Sequence, residues 1–586
     1  MELKKRKKLI AAVIAAVVVL IVAVPFIVLG VSKAFTAQES VVRTDWEIEI
    51  GDTVGENAAL GITYAEAELG DGLRALQLIP DDIEEEGFTY YDTAVQQRLE
   101  GALDSLKAGS MSWTATTPLA VLNPFGTASN ALYLYFQTEM PTKVSYTIHV
   151  EDESIPDFTA EAADISGQEY TRTHEFQMVG LVPGETNQVT MTISGSWGNT
   201  RQIVSFTVEM PDPISGYDTT LEVTDGDSDA AQAEGLFAMM RVNGYLGYGF
   251  FYDDAGVMRY EMVLEGFGLD RLLFDGDEII TCVSSSKMAR IDGLGRVVQV
   301  YDLDGYELHH DIGFGADGEV LALAEVAEGE TVEDRVLSID LETGDVTELL
   351  DFTQVMEGYF AMTRPVSATD DFFWQAGEWD WIHLNSLQYM AEDDSLIVSS
   401  RETSTIIKVA GIHSEPALEW LAGDSRFWAD TPYAGLCLTQ TGDFVPQYGQ
   451  HCVELLETEG DGVYTLAVYN NNYWSLNSRD DFELEVADSV GTDLYGDGSE
   501  TSQVYIYRID ENAGTFELTS SFDVPYSSIV SNGSRCGNGN WAVNSGVSMV
   551  FGEYDPEGVL IRQYKYECTM QNYRTFKYDM TGVWFS

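Results

Sequence analysis

Two short polar segments of the chain carry side chains that are suited to binding an anion. His383 and Asn385 are two residues apart, and Arg401 follows the apolar, β-rich run 396–400. Because alternate residues of an extended strand point to one face, His383 and Asn385 are predicted to share a site. The guanidinium fork matches tetrahedral oxyanions such as sulfate, and neutral imidazole and amide groups add directional hydrogen bonds. The predicted ligand is therefore an oxyanion ester.

Histidine is rare in this chain, and several of its histidines lie in polar strand or turn segments. Only seven occur in 586 residues, and the adjacent pair His309 and His310, His383 and His451 all have such surroundings. A single histidine or arginine beside a strand is usually a structural residue. Their joint occurrence favours a common functional site.

The elements that must position these residues are predicted to be β-strands. Residues 38–212 contain alternating strands, Pro-Gly turns and one helix at 92–107, which indicates a β-sandwich domain. Residues 213–586 repeat a unit in which an Asp and a Gly turn separate two β-rich arms. Such repeats are typical of a β-propeller, whose innermost strands bring distant residues into one central funnel. At roughly 40 to 50 residues per blade, the length allows at most seven or eight blades.

Four sequence blocks, taken together, resemble the bacterial arylsulfate sulfotransferases, the aryl sulfotransferase family that works without a nucleotide donor. The blocks are His-His-Asp at 309–311 with its Asp-Gly turn, Trp-x-His-x-Asn-Ser at 381–386, the Ser-Ser-Arg block at 394–404, and Gly-Gln-His at 449–451. A weaker resemblance covers segments near 140 and 179–189. The resemblance implies an all-β fold with six propeller blades, a phenolic sulfate donor, a phenol acceptor, no cofactor and possible homodimers.

The resemblance also implies roles for individual residues. His451 would be the nucleophile of a ping-pong reaction that passes through a sulfohistidine intermediate. Arg401 and Asn385 would hold the oxyanion, whereas His383 and one of His309 or His310 would contact the sulfuryl oxygens and move the phenol proton. Because consecutive strand residues point in opposite directions, the sequence leaves open which of the adjacent pair faces the funnel.

The N-terminal residues predict a membrane anchor. A basic cluster at 4–8 precedes 23 uncharged, mostly aliphatic residues at 9–31, enough to cross a hydrocarbon core of about 30 Å as a helix. No typical small-residue cleavage site follows. The positive-inside tendency keeps the basic cluster cytoplasmic, so residues 1–37 are predicted to form a cytoplasmic stub and signal-anchor, with the remainder extracellular.

The rest of the chain is strongly acidic. With 25 basic and 95 acidic residues after position 37, its formal net charge is −70. Such a charge argues against nucleic-acid partners, which bind by phosphate neutralisation. No Cys-x-x-Cys or His-x-x-His spacing predicts a metal site. Among five cysteines, Cys437 and Cys452 bracket the segment that ends at His451, although their pairing stays open.

Two other functions fit part of the sequence. A non-catalytic cell-surface propeller would explain the anchor, the acidity and the repeats, but it gives no reason for the histidine, asparagine and arginine blocks to occur together. A sulfate-ester hydrolase would use the same oxyanion clamp, usually with a metal and an acidic ligand cluster.

Overall fold

The computed structural model describes residues 55–67, 69, 75–109, 111–243, 246–268, 271–460, 462–480, 482–496, 498–567 and 571–586. The predicted membrane anchor at 1–37 lies outside these residues. Within the described part of the chain, no helix has the length and apolar character that a membrane crossing requires.

The N-terminal part is a β domain with one long helix. Its elements are β1 Gly55–Asn57, β2 Ile62–Glu66, β3 Leu76–Pro80, α1 Thr93–Lys107, β4 Leu119–Leu122, β5 Leu132–His149, β6 Phe158–Glu161, β7 Thr171–Met178, β8 Thr186–Gly195 and β9 Thr200–Glu209. The side chain of Asp92 caps the start of α1 by accepting from two backbone amides. The N-terminal β domain and its helix are thus as predicted. The nine strands form one connected sheet, because the long β5 pairs with four others.

The remainder of the described chain forms six sheets, which are the blades of a propeller. The strands are β10 Glu222–Asp225; β11 Leu236–Asn243, β12 Leu246–Tyr252, β13 Met258–Val263 (blade 1); β14 Leu273–Asp275, β15 Glu278–Ser284, β16 Lys287–Ile291, β17 Val297–Asp302 (blade 2); β18 Tyr306–Phe314, β19 Glu319–Val326, β20 Arg335–Asp340, β21 Val346–Asp351 (blade 3); β22 Leu384–Met390, β23 Ser395–Ser400, β24 Thr405–Ala410, β25 Ala417–Ala422 (blade 4); β26 Thr439–Thr441, β27 His451–Gly460, β28 Val463–Asn470, β29 Ser502–Asp510, β30 Thr515–Val524 (blade 5); β31 Asn532–Arg535, β32 Trp541–Ser545, β33 Val550–Tyr554, β34 Leu560–Lys565 (blade 6); and β35 Thr575–Tyr578. The six-bladed propeller is confirmed.

Short helices occur in the blade connections. They are α2 Phe352–Val355, α3 Glu357–Phe360 and α4 Ser425–Trp428, with 3₁₀ turns at Phe373–Gln375 and Ala434–Leu436. The connection between β21 and β22 contains α2, α3 and the first 3₁₀ turn. Its last residues include Asp380 and His383, so it leads directly into the predicted site.

Strands from both ends of the propeller close the ring. The C-terminal β35 pairs with β11 in blade 1, and the early β10 pairs with β34 in blade 6. These pairings join segments that are distant in sequence within the first and last blades. They also fix the residues just before β35, Tyr573 and Arg574, beside the innermost strands of the other blades.

Buried apolar side chains fill the spaces between neighbouring blades, and a separate cluster forms the core of the N-terminal domain. Strand β23 is buried along its whole length, as its apolar sequence predicts. The four described cysteines, Cys282, Cys437, Cys452 and Cys536, are free. Cys437 and Cys452 are therefore not paired.

Candidate active site

The innermost strands of blades 3, 4 and 5, which are β18, β22 and β27, share an irregularity at or beside the predicted histidines. His310, His383 and Cys452, the residue after His451, have positive φ values of 61°, 50° and 50°. The pairing register shifts at the same places, between 308 and 312, 384 and 386, and 451 and 453. Non-glycine residues adopt this backbone only at a cost, and such bulges re-aim side chains near functional sites. The bulges turn the imidazoles of three blades toward one another.

His451 begins β27 and is held by one ring nitrogen. Its Nδ1 lies 2.8 Å from Oδ1 of Asn471 and 3.0 Å from the carbonyl oxygen of Gly449. Both partners accept here, because the amide nitrogen of Asn471 already donates to the carbonyl oxygens of Ser527 and Val530. Nδ1 must therefore carry the proton, which leaves a lone pair on Nε2. Within the described residues, Nε2 has no hydrogen-bond partner.

His383 is held between two carboxylates. Its Nδ1 lies 2.8 Å from Oδ2 of Asp380 and also contacts Oε2 of Glu333. Asp380, which is fully buried, accepts from Nη2 of Arg401 at 2.9 Å through the same Oδ2. The Arg401 guanidinium stacks on Phe372, 4.4 Å from the ring centroid. These contacts orient both cationic groups at the end of blade 4.

His310 lies against His383 and opposite His451. Its ring centroid is 4.8 Å from that of His383 and 4.9 Å from that of Tyr573, and its Nε2 is 3.2 Å from Oε1 of Glu333. The ring of Tyr573 is also 6.2 Å from that of His451. His310 is therefore the member of the adjacent pair that joins the cluster. His309 packs edge-on against the His310 ring, with the ring centroids 5.0 Å apart.

Asn385 contacts the backbone that precedes His451. Its Nδ2 donates to the backbone carbonyl oxygen of Gln450 at 2.9 Å, while the backbone carbonyl oxygen of Asn385 accepts from the side chains of Tyr573 and Arg574. One Nδ2 hydrogen is thereby used to hold the turn that carries His451. His383 and Asn385 do lie in the same site. The prediction that they alternate along one extended strand is wrong, because His383 precedes β22 and has a left-handed backbone.

Arg574 and Asp311 form a buried ion pair behind the imidazoles. Nη1 of Arg574 is 2.9 Å from Oδ1 of Asp311, and both side chains are fully buried. Asp311 also accepts from Nε of Arg271 and from the backbone amide of Leu387. The Asp of the His-His-Asp block thus fixes blade 3 to blade 4 and to the C-terminal segment.

The three clustered histidines differ in their affinity for protons. Burial lowers the pKa of His451 well below its usual range, and the neighbouring His383, His310 and Arg401 lower it further. Burial also lowers the pKa of His310. Burial and Arg401 act on His383 in the same direction, but Asp380 and Glu333 outweigh them and raise its pKa to about 9. At neutral pH the site therefore holds a neutral His451 beside a protonated His383.

The structure brings together His451, His383, Arg401, His310 and Asn385, with His309 at the margin. Sequence reasoning missed five neighbours that complete the site, namely Glu333, Asp380, Asn471, Tyr573 and Arg574. Asp380 lies in the same segment as His383, and Asn471 in a run of three asparagines, so each has a weak local signal. Glu333 has no signal in the sequence, because it is one of 96 acidic residues and nothing distinguishes it from the others.

Two overlapping sets of side chains have the spacing of metal ligands. They are His309, His310 and Glu333, and Glu333, Asp380 and His383; within each set the ligand atoms lie within 4.8 Å of one another. Sequence spacing does not reveal them, because the ligands come from three separate segments.

Comparison with protein families identifies the family of the chain. The arylsulfotransferase (ASST) family matches residues 222–581, and the arylsulfotransferase Ig-like domain matches residues 119–211. The chain belongs to the arylsulfotransferase family. This membership supports aryl sulfotransferase activity and implies phenolic donor and acceptor substrates. No curated protein is detectably similar to the chain.

The similarity of the chain to solved structures is distant. A protein of unknown function from Bacteroides caccae is 10% identical, with 58% of this chain and 98% of that chain covered and a TM-score of 0.32. TolB from Acinetobacter baumannii is 12% identical, with 66% and 78% covered and a TM-score of 0.29. The WD40 domain of Toxoplasma gondii coronin is 9% identical, with 59% and 76% covered and a TM-score of 0.28. These likenesses carry no functional argument.

Proposed function

We propose that this arylsulfotransferase family member moves a sulfuryl group from a phenolic sulfate ester to a phenol by a ping-pong reaction through sulfated His451. The observation that carries the proposal is the hydrogen bonding of Nδ1 in His451 to Asn471 and Gly449. It fixes the tautomer in which Nε2 is an unprotonated nucleophile, and burial keeps the ring neutral.

In the first half-reaction, the Nε2 lone pair of His451 attacks sulfur and the bond from sulfur to the aryl oxygen breaks. The phenolate accepts a proton and leaves as the phenol. The sulfated imidazole gains a positive charge, which the amide oxygen of Asn471 stabilises through the Nδ1 proton. In the second half-reaction the oxygen of an acceptor phenol attacks sulfur, the nitrogen to sulfur bond breaks, and the phenol proton returns to the site.

His383 is suited to supply and recover that proton. Asp380 and Glu333 hold its Nδ1, so its Nε2–H is the group free to donate, and its pKa of about 9 keeps it protonated at neutral pH. Arg401 and His310 are suited to contact the sulfuryl oxygens. Arg401 uses Nη2 for Asp380, which leaves its other N–H groups as donors. Asn385 holds the turn before His451 and has one amide hydrogen left for the anion.

Hydrolysis of a sulfate ester is a second candidate, because Glu333, Asp380 and His383 have the spacing of a metal-ligand set. Water would then replace the acceptor phenol. Incubating the protein with a chromogenic phenyl sulfate, with and without added phenol, separates the two. Release of the chromophore that rises with acceptor, together with formation of the sulfated acceptor, supports transfer. Full release without acceptor supports hydrolysis, and a propeller that only binds would release nothing.

The remaining features of the proposal rest on the sequence and the family resemblance. We propose domains at 38–212 and 213–586, an N-terminal signal-anchor at 1–37, and an extracellular catalytic part. The supporting observation is the basic cluster before the aliphatic run, which the positive-inside tendency keeps cytoplasmic. Association into homodimers is supported by the resemblance alone.

A further inference from the structure

His309 is the one predicted site residue for which the sulfuryl-transfer scheme has no task. It is 9% exposed, and both of its ring nitrogens are buried without a well-formed hydrogen bond in the described part of the chain, although the ring lies beside the backbone of Ala324. Each unsatisfied buried polar group costs roughly 1 to 3 kcal/mol. A neutral imidazole with a free lone pair is the form that binds metal ions.

The backbone directs both adjacent imidazoles to one side. Consecutive residues of a regular strand point to opposite faces, but the left-handed His310, with φ of 61°, breaks that alternation. Nitrogen atoms of His309 and His310 and an oxygen of Glu333 then lie within 4.8 Å of one another. The bulge that brings His310 into the active site therefore also produces a pair of neighbouring imidazole ligands.

Glu333 is held in place by features that do not depend on the imidazoles. Its backbone is left-handed, with φ of 56°, and its amide donates to the carboxylate of Glu325 at 3.2 Å. Its carbonyl oxygen accepts from the backbone of Leu384 at 3.1 Å, which ties it to the start of β22. A non-glycine residue in this conformation stores strain that is commonly found at ligand sites.

We propose that His309, His310 and Glu333 bind a divalent transition-metal ion such as Zn²⁺, and that the bound ion inhibits sulfuryl transfer. Two imidazoles and one carboxylate with an open fourth position are a common zinc ligand set. Two ligand atoms on a tetrahedral zinc ion lie about 3.3 to 3.4 Å apart, since each bond is about 2.0 to 2.1 Å long. Nε2 of His310 and Oε1 of Glu333 are already 3.2 Å apart.

The inhibition follows from shared groups and rests on the proposed function. A bound ion holds His310, whose ring packs against those of His383 and Tyr573, and it takes up the Glu333 carboxylate that contacts Nδ1 of His383. The side chains of His310 and Glu333 are 17% and 16% exposed, whereas Nε2 of His310 itself is buried. The two imidazoles favour zinc, cobalt or nickel over magnesium or calcium, which prefer oxygen ligands.

Binding is measured on the full chain without any reference to turnover. The protein is stripped with chelator and titrated with Co²⁺, whose visible absorption reports imidazole coordination, and with Zn²⁺ by equilibrium dialysis. An excess of Ca²⁺ in every sample occupies the acidic surface. One tight equivalent is expected. His309→Asn is expected to weaken it by roughly 100-fold or more, since even the loss of an outer-shell partner costs 10- to 100-fold. His413→Asn, which alters a histidine bonded to Asp394 and Glu319, is the control and should bind normally.

A wild-type protein without a tight equivalent, or a His309→Asn protein that binds as tightly as wild type, would overturn the site. Thermal unfolding of both variants separates loss of a ligand from loss of fold. Glu333→Gln should weaken the binding as well, and it provides a second test if His309→Asn unfolds.

Inhibition is tested as the ratio of turnover with and without Zn²⁺ within each protein. Zinc should suppress wild type and spare His309→Asn; activation of wild type by zinc would overturn the inhibitory role. Failure of sulfuryl transfer itself leaves the cobalt measurement intact.

Discussion

Replacing Glu333 with glutamine tests how the site keeps His383 protonated. Glu333 and Asp380 both contact Nδ1 of His383 and raise its pKa to about 9. A unit charge about 4 Å away contributes roughly 4 kcal/mol at an effective dielectric constant of about 20. That energy equals about three pKa units. Asp380 remains 2.8 Å from Nδ1 in the variant and still favours the protonated ring, which offsets part of the loss. We expect Glu333→Gln to lower the pKa of His383 by roughly one to three units.

The sign of the effect on activity follows from the role of His383 as an acid. Turnover falls as the pH rises through the pKa of His383, so the wild-type profile should decline near pH 9. In Glu333→Gln this decline should move to about pH 6 to 8, with most of the activity below it retained. The decline should be deepest with an unactivated phenyl sulfate and shallow with 4-nitrophenyl sulfate, whose phenolate needs less help to leave.

The assay is kcat against pH from 5 to 10, with chelator in all buffers so that bound metal does not contribute. Glu378→Gln is the matched control, because it removes a nearby carboxylate that does not contact His383; its profile should shift by well under one unit. An unchanged alkaline limb in Glu333→Gln, or an equal shift in both variants, would refute the assignment of His383 as the acid.

Three further variants test other parts of the account. Arg401→Lys should lose most of its turnover, because a point charge cannot replace both the bond to Asp380 and the fork that faces the sulfuryl group. The control is Arg426→Lys, at an exposed position, which should keep its turnover. Near-normal turnover of Arg401→Lys would show that Arg401 is a structural residue. Phe372→Leu removes the ring 4.4 Å from the guanidinium and should lower kcat/KM by roughly five- to thirty-fold, for about 1 to 2 kcal/mol, whereas Phe373→Leu, 60% exposed, should have little effect. Equal losses of kcat/KM in Phe372→Leu and Phe373→Leu would contradict the inference that Phe372 positions Arg401. A chain that begins near residue 38 should be soluble and active; aggregation or loss of turnover would contradict an independent extracellular part.

The sequence predicted the propeller, the N-terminal β domain and helix α1, because alternation, Gly turns and capping residues are local signals. It also gave His310, His383, Arg401 and His451 as members of one site. The sequence could not show which of His309 and His310 joins the site, because the bulge at His310 depends on the pairing between β18 and β19. Glu333 and Tyr573 escaped for a related reason: their place in the site arises from the positions of whole blades, and acidic and aromatic residues are too common here to stand out.

The reason for the nucleophile's tautomer also lay outside the sequence. Asn471 follows β28, and its amide orientation is fixed by the carbonyl groups of Ser527 and Val530, 56 and 59 residues away. A run of asparagines favours turns and caps in general. Only the contact with His451 gives one of them a chemical role.

The central claim is that His451 itself carries the sulfuryl group. The most direct measurement is peptide mass spectrometry after brief exposure to a phenyl sulfate without acceptor, with the digest kept mildly alkaline because sulfated imidazole is labile in acid. The account predicts an added mass of about 80 Da on the peptide that contains His451, lost on addition of phenol and absent from His451→Asn. A label found only on another peptide, or a fully active His451→Asn protein, would contradict it.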